Sequence, residues 1–271
     1  MNIDLHVHTT FSDGLLTPEE IVDLAVKKGL DGIAITDHDT IKGIDRARKR
    51  SVLYNKFTVI PGIEFSCDYY DEEVHILGYF IDHKSSELIK LTNKLKNERI
   101  KRGYKIIDKV NSIGLNISID EVKKFAKHDF IGRPHIANAL IEKGFANNIE
   151  DAFNRYLIKG KTGYIKRYKL SIIETIQLIH RIGGTAILAH PGLLNNEDII
   201  KYTIDNGIDG IEAIHTKHSK KESDKFIGIS KKNNLIITGG SDFHGEKING
   251  EYSLGKCFIS IKSLEDLKRR R

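Results

Sequence analysis

A chain of 271 residues is long enough for one large domain with a full core, or for one domain carrying a smaller insertion. Its 39% hydrophobic and 30% charged residues describe an ordinary soluble globular protein, and no apolar run approaches the roughly 20 residues that span a bilayer. Cys67 and Cys257 are the only thiols and stand far apart, which excludes a disulfide framework and a thiolate zinc site, while a net charge of +6 favours anionic partners such as phosphates or nucleic acid.

The first residues, Met1-Asn2-Ile3-Asp4, lack the basic stretch and apolar core of an export leader, so a cytoplasmic location is expected. Alternation over residues 2–8 predicts a strand. Thr17 and Pro18, with Glu19 and Glu20 in the first turn, open a helix that runs to Gly29. A strand at 32–36, a helix at about 41–55 and a strand at 58–65 follow, a βα rhythm that implies parallel strands. From 85 to 163 the strand pattern stops, and helices are predicted near 86–113, 119–127, 134–143 and 149–158. The βα rhythm returns with a helix at 171–182, a strand at 185–189, a helix at 197–206, a strand at 210–214, a helix at 220–233 and a strand at 235–238. The pattern is that of an α/β, barrel-like fold made of residues 1–84 and 164–271, with a helical subdomain inserted at 85–163. The closing Lys268-Arg269-Arg270-Arg271 cluster reads as a solvated tail.

Chemistry-bearing residues gather at the ends of these strands. His6 and His8, two apart on a strand, project from one face. Asp13 follows in a loop, Asp37-His38-Asp39 ends the second strand and Glu64 the third; His75 lies on the next, His190 ends the strand at 185–189, and Asp242 and His244 follow the last. The strand at 210–214 is the one without such a residue. Strand ends of parallel α/β barrels are where sites are built. Taken singly, a histidine beside a strand is more often structural, but so many imidazoles and carboxylates at one barrel mouth are hard to keep folded without cations. Nitrogen and oxygen donors without sulfur suit Zn, Mn or Fe better than Ca or Mg.

The strings Asp4-Leu5-His6-Val7-His8-Thr9 with Asp13-Gly14, Ile35-Thr36-Asp37-His38-Asp39-Thr40, Pro61-Gly62-Ile63-Glu64, Val74-His75-Ile76-Leu77-Gly78-Tyr79, Leu188-Ala189-His190-Pro191 and Gly239-Gly240-Ser241-Asp242-Phe243-His244-Gly245 together resemble the motif set of the PHP (polymerase and histidinol phosphatase) family. Asn97-Glu98-Arg99 and Gly132-Arg133-Pro134-His135-Ile136-Ala137 in the insertion resemble the branch known for 3′,5′-nucleoside bisphosphate phosphatases and 5′-to-3′ exonucleases. The resemblance implies a distorted (β/α)7 barrel of TIM-barrel type holding two or three divalent ions (Mn, Fe or Zn). It implies that His6, His8, Glu64 and Asp242 hold one ion, Glu64, His75 and His190 a second, and Asp13, His38 and His244 a third.

Separate physical grounds support a phosphate substrate. Leu88, Leu91, Leu95, Ile106 and Val110 form a helical stripe on which Arg99 and Arg102 also fall, so both guanidinium groups face the protein body; for Arg102 snorkelling at the helix edge or pairing with an acidic neighbour is the favoured reading, and for Arg99 a phosphate role. Pro134 suits a first helical turn, which places Arg133 and His135 at a helix N-terminus suited to anions, and a planar Arg fork suits phosphate oxygens. His218 is a further candidate for phosphate, with a surface or capping role as its alternative. Glu64, Asp242, Arg133 and His135 are the expected catalytic residues. Ser12, Ser66 and Ser241 lack a nucleophile-elbow setting, so metal-assisted hydrolysis is expected in place of a covalent route. The expected substrate is a small phosphorylated molecule, a nucleoside bisphosphate or a short 5′-phosphorylated oligonucleotide, with no membrane and no obligate protein partner. A histidinol-phosphate-type monoesterase is the rival enzyme reading, and a metal-stabilised PHP interaction module the rival of another class.

Overall fold

The computed structural model describes residues 2–126 and 131–269. Lys127, at the end of the helix predicted for 119–127, and Arg270 and Arg271 of the basic tail lie outside the described residues. In chain order the elements are β1 (Ile3–Val7), α1 (Pro18–Lys27), β2 (Gly32–Ile35), α2 (Ile44–Ser51), β3 (Thr58–Tyr69), β4 (Glu72–Tyr79), α3 (Ser86–Asn111), α4 (Ile119–Lys123), α5 (Arg133–Glu142) and α6 (Ile149–Ala152). They continue as β5 (Leu170–Ser171), α7 (Ile172–Arg181), β6 (Thr185–Leu188), α8 (Asp198–Asp205), β7 (Gly210–His215), α9 (Lys220–Lys232), β8 (Ile236–Gly240), β9 (Lys247–Ile248), β10 (Glu251–Tyr252) and α10 (Ile261–Arg269). Met1–Lys90 with Lys169–Arg271 make one compact unit and Leu91–Tyr168 a second. No helix among the described residues is long and apolar enough to cross a membrane.

The helices start where their sequences provide caps. Thr17, Ser118, Ser171 and Ser219 each accept a backbone N–H from the Glu three residues on, whose carboxylate accepts the cap's own N–H in return, so two orphan donors are satisfied at each end.

In the first unit, seven strands run in the order β1-β2-β3-β4-β6-β7-β8, with β5 against β3. Just past β8, the ring nearly closes: His8 N–H donates to Phe243 O at 2.9 Å and Phe243 N–H to His6 O at 3.2 Å. β1/β2, β2/β3, β6/β7 and β7/β8 are parallel, as the βα rhythm requires. β4 departs from it and runs antiparallel to both β3 and β6. The cause is local. β3 and β4 are joined by Tyr70 and Asp71 alone, with φ of 45° and 70°, a two-residue turn of the kind that makes hairpins, whereas a parallel pair needs a long crossover. Ile3, Leu5, Ala34, Ile60, Leu77, Tyr79, Ile187, Ala189 and Ile236 pack with Ile259, Leu264 and Leu267 into this unit's core.

Gly240 sets how near β8 comes to β1. A Cβ there would lie 2.3 Å from His6 Cβ and 2.5 Å from His6 N, contacts that no side chain can make. Gly240→Ala is therefore expected to cost about 1–3 kcal/mol, the range for overpacking. Urea unfolding of the chelated protein measures it, and an unchanged midpoint would show that the two strands can part freely.

The second unit has its own core of Ile106, Val110, Ile117, Val122, Ile136, Leu140, Tyr156 and Leu157 among others. The helix predicted for 149–158 begins as α6 and widens into a π turn over Phe153–Leu157.

Candidate metal centre

Glu64, in β3, is wholly buried, where an ionised carboxylate is costly unless its neighbours compensate. Five imidazoles surround it. Its Oε2 lies 3.2 Å from His6 Nε2, 3.3 Å from His8 Nε2 and 3.0 Å from His38 Nδ1. Its Oε1 lies 2.9 Å from His75 Nδ1 and 3.1 Å from His190 Nε2. Asp242 Oδ1 is 3.5 Å from His6 Nε2 and 3.3 Å from His8 Nε2. Closer to solvent, Asp13 reaches His38 Nε2 at 3.6 Å and His244 Nε2 at 3.4 Å. The fold thus brings the nine residues singled out as metal ligands into one place, from six different strands and the loops after them.

Buried polar side chains brace these loops. Asp37 accepts from Thr9 N (2.7 Å), Thr9 Oγ1 (2.8 Å) and Ser12 Oγ (2.7 Å), which fixes the loop carrying Asp13. Asp4 accepts from Ser241 N (2.8 Å), Ser241 Oγ (2.6 Å) and Gly255 N (2.8 Å), which fixes the turn carrying Asp242. Asp39, His190 and Asp242 have φ of 55°, 26° and 51°, the left-handed region that side chains other than glycine seldom occupy. Three such residues around one centre are local strain held by the surroundings, as functional sites often show.

The charges oppose burial. Desolvation alone would lift the Glu64 carboxyl, but His38, His75 and His6 hold it well below the usual range. Desolvation would lower the imidazoles, yet Asp242 and Glu64 push His8 up to about 9, Glu64 and Glu73 push His75 up to about 10, and Glu212, Glu64 and Asp242 hold His6 well above its ordinary value. Asp13 and Asp242 are likewise held low against burial, Asp13 first by His244 and Asp242 first by His6.

The donor set fits a cation. Among the described residues, His6 Nε2, His8 Nε2, His38 Nδ1 and Glu64 Oε2 are buried atoms without a hydrogen bond, although they converge. Unpaired buried polar atoms are rare and costly, and donors about 3.3 Å apart are the edges of a tetrahedron around an ion at about 2 Å. The groups His6-His8-Glu64, His38-Glu64-His75 and His8-Asp13-His38-His244 each place their ligand atoms within 4.8 Å of one another. Cys67 is apart from this chemistry: burial drives its thiol up to about 12, and its Sγ lies 3.1 Å from Thr175 Oγ1.

Two neighbours of the centre were not expected. β7 extends one residue past the predicted strand and ends in His215, and Glu212 in its middle is wholly buried with Oε1 3.0 Å from His6 Nδ1. His215 Nδ1 accepts from Lys217 N–H at 3.2 Å, so its proton is on Nε2, 3.5 Å from Asp242 Oδ2. The signal for Glu212 was a lone acid between Ile211 and Ala213 in an otherwise apolar strand.

His218 lies beside Phe226; its Nε2 accepts from Gly192 N–H at 3.1 Å and its Nδ1 donates to Ala213 O at 3.2 Å, so both ring nitrogens serve the backbone, which favours the capping alternative over a phosphate role. In the second unit, Arg102 donates through Nε to Ile165 O at 2.6 Å, and Arg99 is half-buried on α3. Arg133 and His135 sit in the first turn of α5. His135 Nδ1 accepts from Gly132 N–H at 3.1 Å, and the Arg133 guanidinium lies over Phe153, 5.5 Å from the ring centre.

Comparison with known proteins gives consistent matches. The model of the PHP domain family matches residues 4–184. The 5′-3′ exoribonuclease Rnm of Escherichia coli (strain K12) is 33% identical over 249 residues, covering 89% of this chain and 84% of that protein. The 3′,5′-nucleoside bisphosphate phosphatase of Chromobacterium violaceum is 30% identical over 250 residues, covering 90% of this chain and 87% of that one. Among solved structures, a protein described as a metal-dependent phosphoesterase from Bifidobacterium adolescentis superposes with a TM-score of 0.81 at 29% identity, over 99% of this chain and 96% of its own.

Proposed function

We propose, given that this chain belongs to the PHP domain family, that it removes the 3′-phosphate of nucleoside 3′,5′-bisphosphates and trims short 5′-phosphorylated oligonucleotides. The broader statement, a metal-dependent phosphoesterase, agrees with the description of the Bifidobacterium adolescentis structure, and an exoribonuclease and a nucleoside bisphosphate phosphatase both cleave phosphate esters. The finer one is carried by a single observation: two relatives that align along about nine-tenths of the chain are a 5′-3′ exoribonuclease and a 3′,5′-nucleoside bisphosphate phosphatase.

In this reading His6, His8, Glu64 and Asp242 would hold one divalent ion, Glu64, His75 and His190 a second, and Asp13, His38 and His244 a third, with Mn, Fe or Zn suited to the donors. Bound ions supply polarisation of the phosphoryl oxygens and acidify an attacking water. The chain's own residues do the rest. Glu64, its carboxyl held well below the usual range, would be a ligand common to two of these groups. Arg99, Arg133 and His135 would neutralise the phosphoryl oxygens as the bond from phosphorus to the leaving oxygen breaks and that to the water oxygen forms.

The test offers manganese-loaded protein a 3′,5′-nucleoside bisphosphate beside a 5′-phosphorylated trinucleotide. Free phosphate from the first and stepwise mononucleotides from the second are expected. Arg133→Ala is expected to lower kcat/KM for both by about 10–100-fold, the worth of a hydrogen bond to a charged group. Turnover of neither substrate by the wild type would end this reading.

A further inference from the structure

We propose that Glu212 is a positioning residue that serves ligands of two different ions at once, setting the tautomer of the His6 imidazole and holding the backbone of His190; the proposal rests on reading both histidines as metal ligands.

Glu212 sits in the middle of β7, wholly buried, where an acid must be matched to specific partners. Its Oε1 and Oε2 lie 3.0 and 3.2 Å from His6 Nδ1. A carboxylate can only accept, so the proton of a neutral His6 is placed on Nδ1 and the lone pair on Nε2, the atom that faces Glu64 and Asp242. With the other tautomer, an N–H would point at the ion.

The same carboxylate accepts the backbone N–H of His190 at 2.9 Å through Oε2. His190 stands at φ 26° and ψ 58°, a conformation unfavourable for a side chain other than glycine, and it is there that the chain leaves β6 for Pro191. The bond to Glu212 ties that residue to β7. One side chain thus couples a ligand on β1 to a ligand after β6, and β1 and β7 each show a register shift in the stretch concerned, between Asp4 and Val7 and between Glu212 and Ile214.

A competing account makes His6, Glu212 and His215 a further ion site, since their ligand atoms lie within 4.8 Å of one another. The tautomers oppose it. His6 Nδ1 is committed to Glu212, and His215 Nε2 carries a proton because Nδ1 accepts from Lys217, so neither offers a lone pair to that space.

Glu212→Gln tests the proposal, because the amide has the same shape but in either orientation turns an NH2 donor toward His6 Nδ1–H or toward His190 N–H, where the carboxylate offers an acceptor to each. We expect a variant with the wild-type far-ultraviolet spectrum whose manganese affinity by calorimetry is weakened about 10–100-fold, the usual effect of losing an orienting partner. A long-range proton–nitrogen correlation on zinc-loaded protein should show His6 protonated at Nδ1 in the wild type and a mixed state in the variant. A folded variant that binds manganese within twofold of the wild type would overturn the proposal. So would a wild-type His6 protonated at Nε2, a result that decides the matter even if the variant does not fold. A wild type that binds no divalent ion would instead remove the metal-centre reading itself, and calorimetry shows this before any variant is made.

Discussion

Glu64→Gln is expected to lower phosphate-ester turnover by about 10³-fold or more and to strip the protein of its ions. Loss of a partner that merely orients a ligand already costs about 10–100-fold, and Glu64 stands within 2.9–3.3 Å of five imidazoles through two oxygens. The amide keeps the volume and discards the charge. In the chelated protein the same change removes the central counter-charge of His6, His8 and His75, and breaking a buried ion pair costs roughly 3–5 kcal/mol. Initial rates across a manganese titration, metal content and urea unfolding report the three effects. Activity within tenfold of the wild type, with metal content intact, would mean that Glu64 is a structural acid beside a centre formed by other residues.

The second large effect is a crossing of stabilities with pH. His8 and His75, pushed up to about 9 and about 10, titrate near 6.5 when unfolded. A raised folded value means that the folded state holds protons the unfolded state has released. Without ions, the stabilisation from these two imidazoles is therefore complete below about pH 6.5 and is lost as pH rises through 9 and 10. The depressed carboxylates, Glu64, Asp13 and Asp242, contribute above their unfolded values and stay constant across this window. Ions replace those protons, so in the loaded protein raising the pH strengthens binding. Chelated protein is expected to lose several kcal/mol between pH 7 and pH 10, roughly 10 °C in Tm for a chain of this size, while the manganese-loaded protein loses much less. Parallel Tm curves for the two forms would show that the ions do not bind where these protons sit.

Much of this was legible in the sequence, and the limits fall at identifiable residues. Asp4-Leu5-His6-Val7-His8 displays its strand and its ligands together, and Thr17-Pro18-Glu19-Glu20 spells its helix start, because alternation and capping are local properties. The direction of β4 depended on the backbone of Tyr70 and Asp71, of which only Asp71 is of a type that favours a left-handed turn. The inward side of His215-Thr216-Lys217-His218 turned on where β7 stops. The strand carries His215 to the centre, and His218, in the loop after it, lies beside Phe226. Glu212 was hidden for a different reason. Its partners are 206 and 22 residues away, so its role exists only once β7 lies between β6 and β8.

The near-closure of the ring through Phe243 carries a consequence for timing during synthesis. His6 leaves the ribosome more than two hundred residues before Asp242 and His244. At roughly 5–20 residues per second, about 10 to 50 s separate the first ligand from the last. Through that interval the emerging chain carries an incomplete cage and an unpaired first strand. Under the proposed function, hydrolytic competence would arrive in a single late step, when the segment after β8 docks on β1, and the chain would be silent until then.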